Sequence, residues 1–289
     1  MSNQRLEFYE SVIKAHQLGS QVLAISPIAE GCINNTFSIK TERRQFFIKW
    51  NDLASDLFEQ EKHGLYILQQ KSPIRTPEVL GLGRYDSKDY LLLKFEDTGS
   101  PGKHFWENFG ASLAEQHRQS SAQFGLDHDN HIGRLPQKNS YEDSWHDFFV
   151  NQRLIPQVNL AAASGLLDYK DVQQFDLLYK RIKDIFSDEP PALLHGDLWS
   201  GNFMIGANGE AFIFDPAVYF GHREMELAFT KMFGGFNEPF YEAYNASYPM
   251  DKGFQQREDL CNLYPLLVHA NLFGGGYISA VKQTLKRWV

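Results

Sequence analysis

At 289 residues the chain is long enough to bury a sizeable core without disulfide or metal staples. Hydrophobic residues make up 43% and aromatic residues 14%, which excludes a disordered chain, and two cysteines exclude the disulfide framework of small secreted domains. Lys plus Arg number 28 against 36 Asp plus Glu, and the resulting net charge of −8 opposes a broad contact with a nucleic-acid backbone. The opening MSNQRLEFYESVIKAH carries glutamates rather than a basic stretch and an apolar core, and no run of 18 apolar residues occurs. The expectation is a cytoplasmic protein with no membrane span and no nucleic-acid partner.

In chain order, Leu6, Tyr9, Val12 and Ile13 recur at helical spacing before Gly19 and predict a short amphipathic helix. VLAISPI, NTFSIK, RQFFIKW, EVLGLGRY and YLLLKF follow, short branched and aromatic runs that read as an antiparallel sheet. One helix from about Ser55 to Gln70 interrupts them and carries Leu57, Glu61, Leu65 and Leu68 on one face. A glutamate in that stripe either reaches solvent at its edge or turns inward to meet a cation, because an unpaired buried charge is costly. Beyond Phe95 the segment DTGSPGK reads as a connector. Helical patterns then dominate, over 105–118, 145–163, 169–186, 223–233, 259–272 and 277–288. The expected architecture is α+β and bilobal. A small antiparallel-sheet lobe with one key helix covers residues 1–96, and a larger, mainly helical lobe covers residues 97–289, with no internal repeat.

The chemistry is concentrated in LLHGDLWSGNFMIGANGEAFIFDPA, residues 193–217. Asp197 and Asn202 are five apart in a turn-rich segment, and Asp215 follows thirteen later at the end of a strand-like run. A loop can present one carboxylate to a hydroxyl nucleophile and an amide oxygen to a divalent cation, while a hairpin returns a second carboxylate to that cation and its nucleotide phosphates. This order is the catalytic-loop and metal-binding arrangement of the protein-kinase-like fold, with His195-Gly196-Asp197 in place of His-Arg-Asp and Asp215-Pro216-Ala217 in place of Asp-Phe-Gly. The missing arginine and the short span after Asp215 argue against control by a phosphorylated activation loop.

The first lobe supplies the matching cation. Lys49 lies in the strand FFIKW and Glu61 follows twelve residues later on the inward helix stripe, so the pair is suited to hold and orient α- and β-phosphates; Glu59 points away from Glu61's face. Gly31, Cys32, Ile33 and Asn34 separate two strands ahead of Lys49, where their backbone could cover phosphates or simply turn, since neither phosphate-loop fingerprint is present. Backbone groups of Lys94, Phe95 and Glu96 are expected to meet the adenine. The histidines show no compact zinc spacing and no G-x-S-x-G elbow appears, and the hard oxygens of nucleotide phosphates and Asp215 make magnesium the expected ion.

Taken together, EGCIN at 30–34, FIKW at 47–50, FEQEKHGL at 58–65, Trp106 with FGASLAEQHR at 109–118, and FGLDHDNHIGRLPQKN at 124–139 resemble the fructosamine kinase family, the ketosamine-3-kinases, in its bacterial form. WHDFFVNQRLIPQ at 145–157, LLHGDLWSGN at 193–202, FDPAVYFGHREMELAF at 214–229 and YPLLVHANLFGGGY at 264–277 extend the resemblance over nearly the whole chain. The resemblance implies ATP- and magnesium-dependent phosphorylation of the 3-hydroxyl of a ketosamine, free or on a glycated protein, followed by spontaneous loss of the sugar. It implies Asp197 as base, Asn202 and Asp215 as metal ligands, and Lys49 with Glu61 on the phosphates. It also implies a lid cysteine at Cys32 that in some relatives links two chains, so a monomer or a redox-dependent dimer is expected, while Cys261 reads as a packed hydrophobe. His222 and Glu226 depart from aspartates expected in the family's segment. Trp199 is either a sugar platform or a wedge for the loop, and Asp129 and Arg134 either bind the acceptor or lock their own loop. The other readings are a kinase of an aminoglycoside, amino alcohol or simple sugar, and an inactive nucleotide-binding scaffold.

Overall fold

The computed structural model describes residues 3–19, 21–28, 34–53 and 55–289, so Gly31, Cys32 and Ile33 lie outside the described residues. Helix α1 (Asn3–Ala15) is followed by strands β1 (Val22–Pro27), β2 (Asn35–Thr41) and β3 (Gln45–Asn51), then α2 (Leu57–Lys71), β4 (Val79–Tyr85) and β5 (Lys88–Lys94). The strands form one antiparallel sheet in the order β1-β2-β3-β5-β4. Its two faces follow from the strand period of two. On β3, Phe46 and Ile48 turn toward Tyr9, Val12 and Ile13 of α1, whereas Phe47 packs with Leu57, Phe58 and Leu65 of α2 on the opposite face. Lys49, one residue beyond Ile48, therefore shares the α2 face. The same logic turns Glu61 inward, because Leu57, Glu61, Leu65 and Leu68 are all buried along α2.

The second lobe opens with α3 (Phe105–His117) and a small hairpin of β6 (Asn130–Ile132) and β7 (Leu135–Gln137). Helix α4 (Trp145–Phe148), a π-helical turn over Phe149–Leu154, α5 (Ile155–Ala163) and α6 (Tyr169–Ile182) follow. Strand β8 (Ala192–Leu194), the hairpin of β9 (Phe203–Ile205) and β10 (Ala211–Ile213), and β11 (Tyr219–Gly221) carry the central segment. Helices α7 (Glu224–Met232), α8 (Glu238–Ser247), α9 (Phe254–Cys261), α10 (Leu263–Phe273) and α11 (Tyr277–Trp288) complete the chain. One large core unites them, and α3 crosses α8 through a cluster of Phe109, Phe236 and Phe240.

Two helices expected as single pieces are divided. Pro156 has no N–H for the carbonyl of Gln152; that carbonyl instead accepts from Arg153 Nη1 at 3.1 Å, and the backbone widens so that Ile155 N–H bonds Val150 O. The 259–272 pattern breaks at Asn262, whose side chain donates to Ala228 O at 3.0 Å, and Pro265 sits in the first turn of α10, where its missing N–H costs nothing. Helix α8 and the β6–β7 hairpin have no counterpart in the sequence reading. No helix among the described residues is long and apolar enough to cross a membrane.

Candidate active site

Strands β8 and β11 pair antiparallel with Leu194 opposite Tyr219, so the loop after β8 and the segment before β11 run side by side. Ala217 N–H donates to His195 O at 2.8 Å, and Phe214 N–H donates to Asn202 O at 3.1 Å. Gly196 has a φ of +85°, and a Cβ there would lie 2.0 Å from Ala217 O. Only glycine fits, which explains sterically why no arginine precedes the candidate base. His195 is fully buried and its tautomer is fixed by its partners. Nε2–H donates to Phe214 O at 3.0 Å and Nδ1 accepts from Asp197 N–H at 3.3 Å, while burial keeps the imidazole neutral by lowering its pKa.

The residue that organises this loop is Glu226 on α7, whose role was not legible in the sequence. Its carboxylate accepts from His195 N–H at 3.0 Å, from Gly196 N–H at 2.7 Å, and bonds His117 Nε2 at 2.9 Å. Burial would raise its pKa, but the His117 hydrogen bond and charge, His195 and the Gly196 N–H together hold it below the ordinary glutamate range. His222 is buried nearby and bonds Ser187 O at 3.3 Å, which makes it a structural residue.

Asp197, Asn202, Asp215, Lys49 and Glu61 all line one cleft of about 630 Å³ between the lobes. Asn202 Nδ2 donates to Asp197 O at 2.8 Å and to Asp197 Oδ2 at 2.9 Å. With its nitrogen spent on Asp197, the amide presents Oδ1 as its remaining donor atom. Asp215 holds a φ of +57°, a left-handed conformation that costs a non-glycine residue roughly 1 kcal/mol and that Asp tolerates better than most. Lys49 Nζ donates to Glu61 Oε1 at 2.7 Å and also contacts Asp215 Oδ1. Burial pushes the ammonium toward neutrality, yet the Asp215 and Glu61 carboxylates outweigh it and keep Lys49 charged. For Asp197, burial followed by the Asp215 charge raises the carboxyl well above the usual aspartate range, with Asn202 opposing.

Phe47 and Leu93 of the first lobe give the cleft an apolar roof, and Met204 and Phe212 of the second a floor. Lys94, Phe95 and Glu96 line the cleft edge. Lys94 N–H is spent on Glu78 O at 2.9 Å, whereas among the described residues the backbone groups of Phe95 and Glu96 have no partner. Arg75 bonds Glu96 at 3.0 Å and also contacts Glu210 on the β9–β10 turn, tying the connector to the second lobe. Asn34 lines the cleft and accepts from Asn51 Nδ2 at 2.8 Å.

One wall of the cleft is aromatic. Trp199, Phe233, His269, Phe273 and Tyr277 line it, with the Trp199 and Phe233 rings 5.6 Å apart and the His269 ring 5.0 Å from Phe233 and 5.1 Å from Tyr277. Asp129 instead bonds Lys138 Nζ at 2.6 Å and Asn139 N–H at 2.9 Å, and neither it nor Arg134 belongs to the cleft lining. The neighbouring amides form a buried lattice under Asp215. Asn130 Nδ2 donates to Val218 O at 2.8 Å, and Gln137 Nε2 donates to Ala217 O at 3.0 Å and to Asn130 Oδ1 at 2.8 Å. Arg153, fully buried, donates to Asn139 Oδ1 at 2.8 Å and stacks 4.0 Å from the Tyr219 ring.

Comparison with known proteins places this geometry. Residues 7–289 match the fructosamine kinase family. The chain belongs to that family. An Enterococcus faecium protein assigned as a ketoamine kinase is 36% identical over 284 residues, spanning 96% of this chain and 99% of the relative. The chloroplastic protein-ribulosamine 3-kinase of Arabidopsis thaliana is 36% identical over 92% of this chain and 82% of its own length. The crystal structure of a Haemophilus somnus protein assigned as a fructosamine-3-kinase superposes with a TM-score of 0.88 at 25% identity, covering 97% of this chain and 96% of that one. Aminoglycoside phosphotransferase APH(4)-Ia shares the fold alone, with a TM-score of 0.62 at 16% identity and 99% of both chains covered. The chain thus has the bilobal, protein-kinase-like arrangement expected from the sequence, with the cleft between its lobes.

Proposed function

We propose that this fructosamine kinase transfers the γ-phosphoryl group of ATP to the 3-hydroxyl of ketosamines of the fructosamine or ribulosamine type, free or on a glycated protein. The observation that carries the reading is the convergence of Asp197, Asn202, Asp215, Lys49 and Glu61 in one cleft of a chain that matches the family from residue 7 to residue 289. Lys49, oriented by Glu61, holds the nucleotide phosphates. Asp197 accepts a hydrogen bond from the acceptor hydroxyl and takes its proton as the new O–P bond forms, while the bond to the ADP oxygen breaks. Asn202 Oδ1 and the Asp215 carboxylate are hard oxygen donors, the set that suits Mg²⁺, which when bound neutralises charge on the phosphates. Phosphate on the 3-oxygen promotes loss of the sugar and returns the free amine. The division into a nucleotide-binding lobe, residues 1–96, and an acceptor-binding lobe, residues 97–289, belongs to the same reading.

The aromatic wall supports an acceptor with C–H faces and an amine, since flat rings take both sugar faces and cations. His269 adds direction. Its Nδ1 faces Pro265 O at 2.8 Å and must be the protonated nitrogen, and burial lowers its pKa, so Nε2 is left as an acceptor. We assign it to a ketosamine N–H or O–H, with Trp199 as the platform beside Asp197. The test is transfer of labelled phosphate from ATP to a ketosamine panel set against aminoglycosides and amino alcohols. Label in ketosamines supports the reading, and label confined to the other acceptors refutes it.

A further inference from the structure

The rings of the aromatic wall stand in series. Trp199, two residues beyond Asp197, lies 5.6 Å from Phe233; Phe233 lies 5.0 Å from His269, and His269 lies 5.7 Å from Phe273 and 5.1 Å from Tyr277. The series ends at Phe273, which lines the cleft yet is 51% exposed. We propose that its outer part, Phe273 and Tyr277, is a selectivity subsite for the group carried on the ketosamine nitrogen, one that takes uncharged alkyl or aryl groups and discriminates against those with a carboxylate beside the nitrogen.

On the reading of the protein as a ketosamine kinase, on which this subsite rests, the nitrogen is attached to the first carbon of the sugar, two carbons from the one that bears the reacting hydroxyl. With that hydroxyl at Asp197 and the phosphates at Lys49 and Asp215, the sugar lies along the first rings and its N–H meets His269 Nε2. The group on the nitrogen then continues onto the rings beyond His269. Helix α10 sets His269, Leu272 and Phe273 at spacings of three and four, so all three turn to one face, and Tyr277 opens α11. Past Phe273 the chain turns through Gly274 with a φ of +66°, where a Cβ would meet nothing within 4 Å, so the turn leaves the space past the ring clear.

Charge decides what this end of the cleft accepts. Among the described residues the charged side chains of the lining come from β3, α2, β5 and the connector after it, the loop after β8, Asp215 and α7; none comes from α10 or α11. A carboxylate placed against Phe273 and Tyr277 would lose water and gain no partner, and the electron-rich faces of the rings would repel it. The positive charge of the amine itself is compatible, since the same faces attract cations. An alkyl or aryl group covers the half-exposed Phe273 ring while its own surface leaves water, so each carbon in contact adds to binding.

The test is kcat/KM, with ATP and Mg²⁺ saturating, for 1-amino-1-deoxyfructose bearing an N-methyl, N-isobutyl, N-benzyl or N-carboxymethyl group; isobutyl and carboxymethyl share a shape and differ in charge. Isobutyl should exceed carboxymethyl, and benzyl should exceed methyl, each by at least about 10-fold. Phe273→Ala should shrink the benzyl-to-methyl ratio at least about 3-fold. Phe273→Lys should shrink the isobutyl-to-carboxymethyl ratio at least about 10-fold, a charge-specific change that a loosened fold does not produce. Melting checks that each variant is folded; where a Phe273 variant fails, Tyr277→Ala and Tyr277→Lys serve. Tyr169→Ala, which removes an exposed ring on α6 outside the lining, should keep both ratios. Equal kcat/KM across the series in the wild type, or ratios untouched in both Phe273 variants, would overturn the subsite and leave the ketosamine reading in place. Transfer to none of these compounds would refute the ketosamine reading and the subsite with it.

Discussion

Glu226 shows how much of this site rests on one side chain whose oxygens are spent on the loop itself. Its two oxygens take three donors from His195, Gly196 and His117, and His117 passes the network on to Tyr244 at 2.8 Å. Replacing it by glutamine keeps the shape but turns one acceptor into a donor, which then faces an N–H. A buried donor left unpaired costs about 1–3 kcal/mol, so Glu226→Gln should lower stability to urea by that amount. The catalytic loop should also lose its position, reducing kcat more than it changes KM for ATP. Stability and kcat both equal to wild type would remove Glu226 from this role. The sequence offered only a departure from an expected aspartate at this position; the longer side chain and the buried histidine it reaches become meaningful once α3 and α7 are seen to converge.

At the level of elements, α2 is positioned by what it lacks. A Cβ at Gly64 would lie 3.3 Å from both Pro216 Cγ and Val218 Cγ2, so the helix rests directly on the segment that follows Asp215. Gly64→Val would wedge α2 outward and draw Glu61 from Lys49. Overpacking of this kind typically costs about 1–3 kcal/mol, and turnover should fall by roughly 10-fold or more with the protein still folded. Unchanged turnover would separate α2 from catalysis. The first lobe was largely legible because its physics is local: strand alternation put Phe47 and Lys49 on one face, and helical spacing put Glu61 among leucines. The order of Asp197, Asn202 and Asp215 was legible for the same reason. Less so were elements decided by distant partners. Pro156 and Pro265 lie inside stretches read as continuous helices, and whether each bends, widens or restarts its helix depends on Arg153 and on Asn262 reaching across the fold. Asn130 and Gln137, given no role of their own in the sequence reading, hold the backbone under Asp215.

Across the molecule, burial lowers the pKa of the fully buried His195 and His222 and of the partly buried His269, and holds these imidazoles neutral. In the unfolded chain the same groups titrate near about 6.5. Between that value and their lower folded values the unfolded state binds more protons, so stability rises with pH, and each group contributes up to about 1.4 kcal/mol per pH unit. This stability is present above the unfolded value and is lost as pH falls through the window below it. Glu226, lowered as well, adds loss in the same direction further down, while Asp197 and Glu61, both raised chiefly by burial, work against them. The melting temperature should therefore drop steadily from pH 7 toward pH 5; a flat or rising profile would contradict the burial of these rings as neutral species.

The central claim is that the cleft phosphorylates the 3-hydroxyl of a ketosamine with Asp197 as its base. The most direct measurement is product mapping by phosphorus–carbon coupling in nuclear magnetic resonance, after incubation of a defined fructosamine with ATP and Mg²⁺. Wild-type protein should place phosphate on the third carbon and then release the amine. Asp197→Asn should still bind nucleotide but form that product about 10²–10⁴-fold more slowly, the scale of a positioned acid–base group. Phosphate on another carbon, no ketosamine product from wild type, or near-wild-type product formation by Asp197→Asn would contradict it.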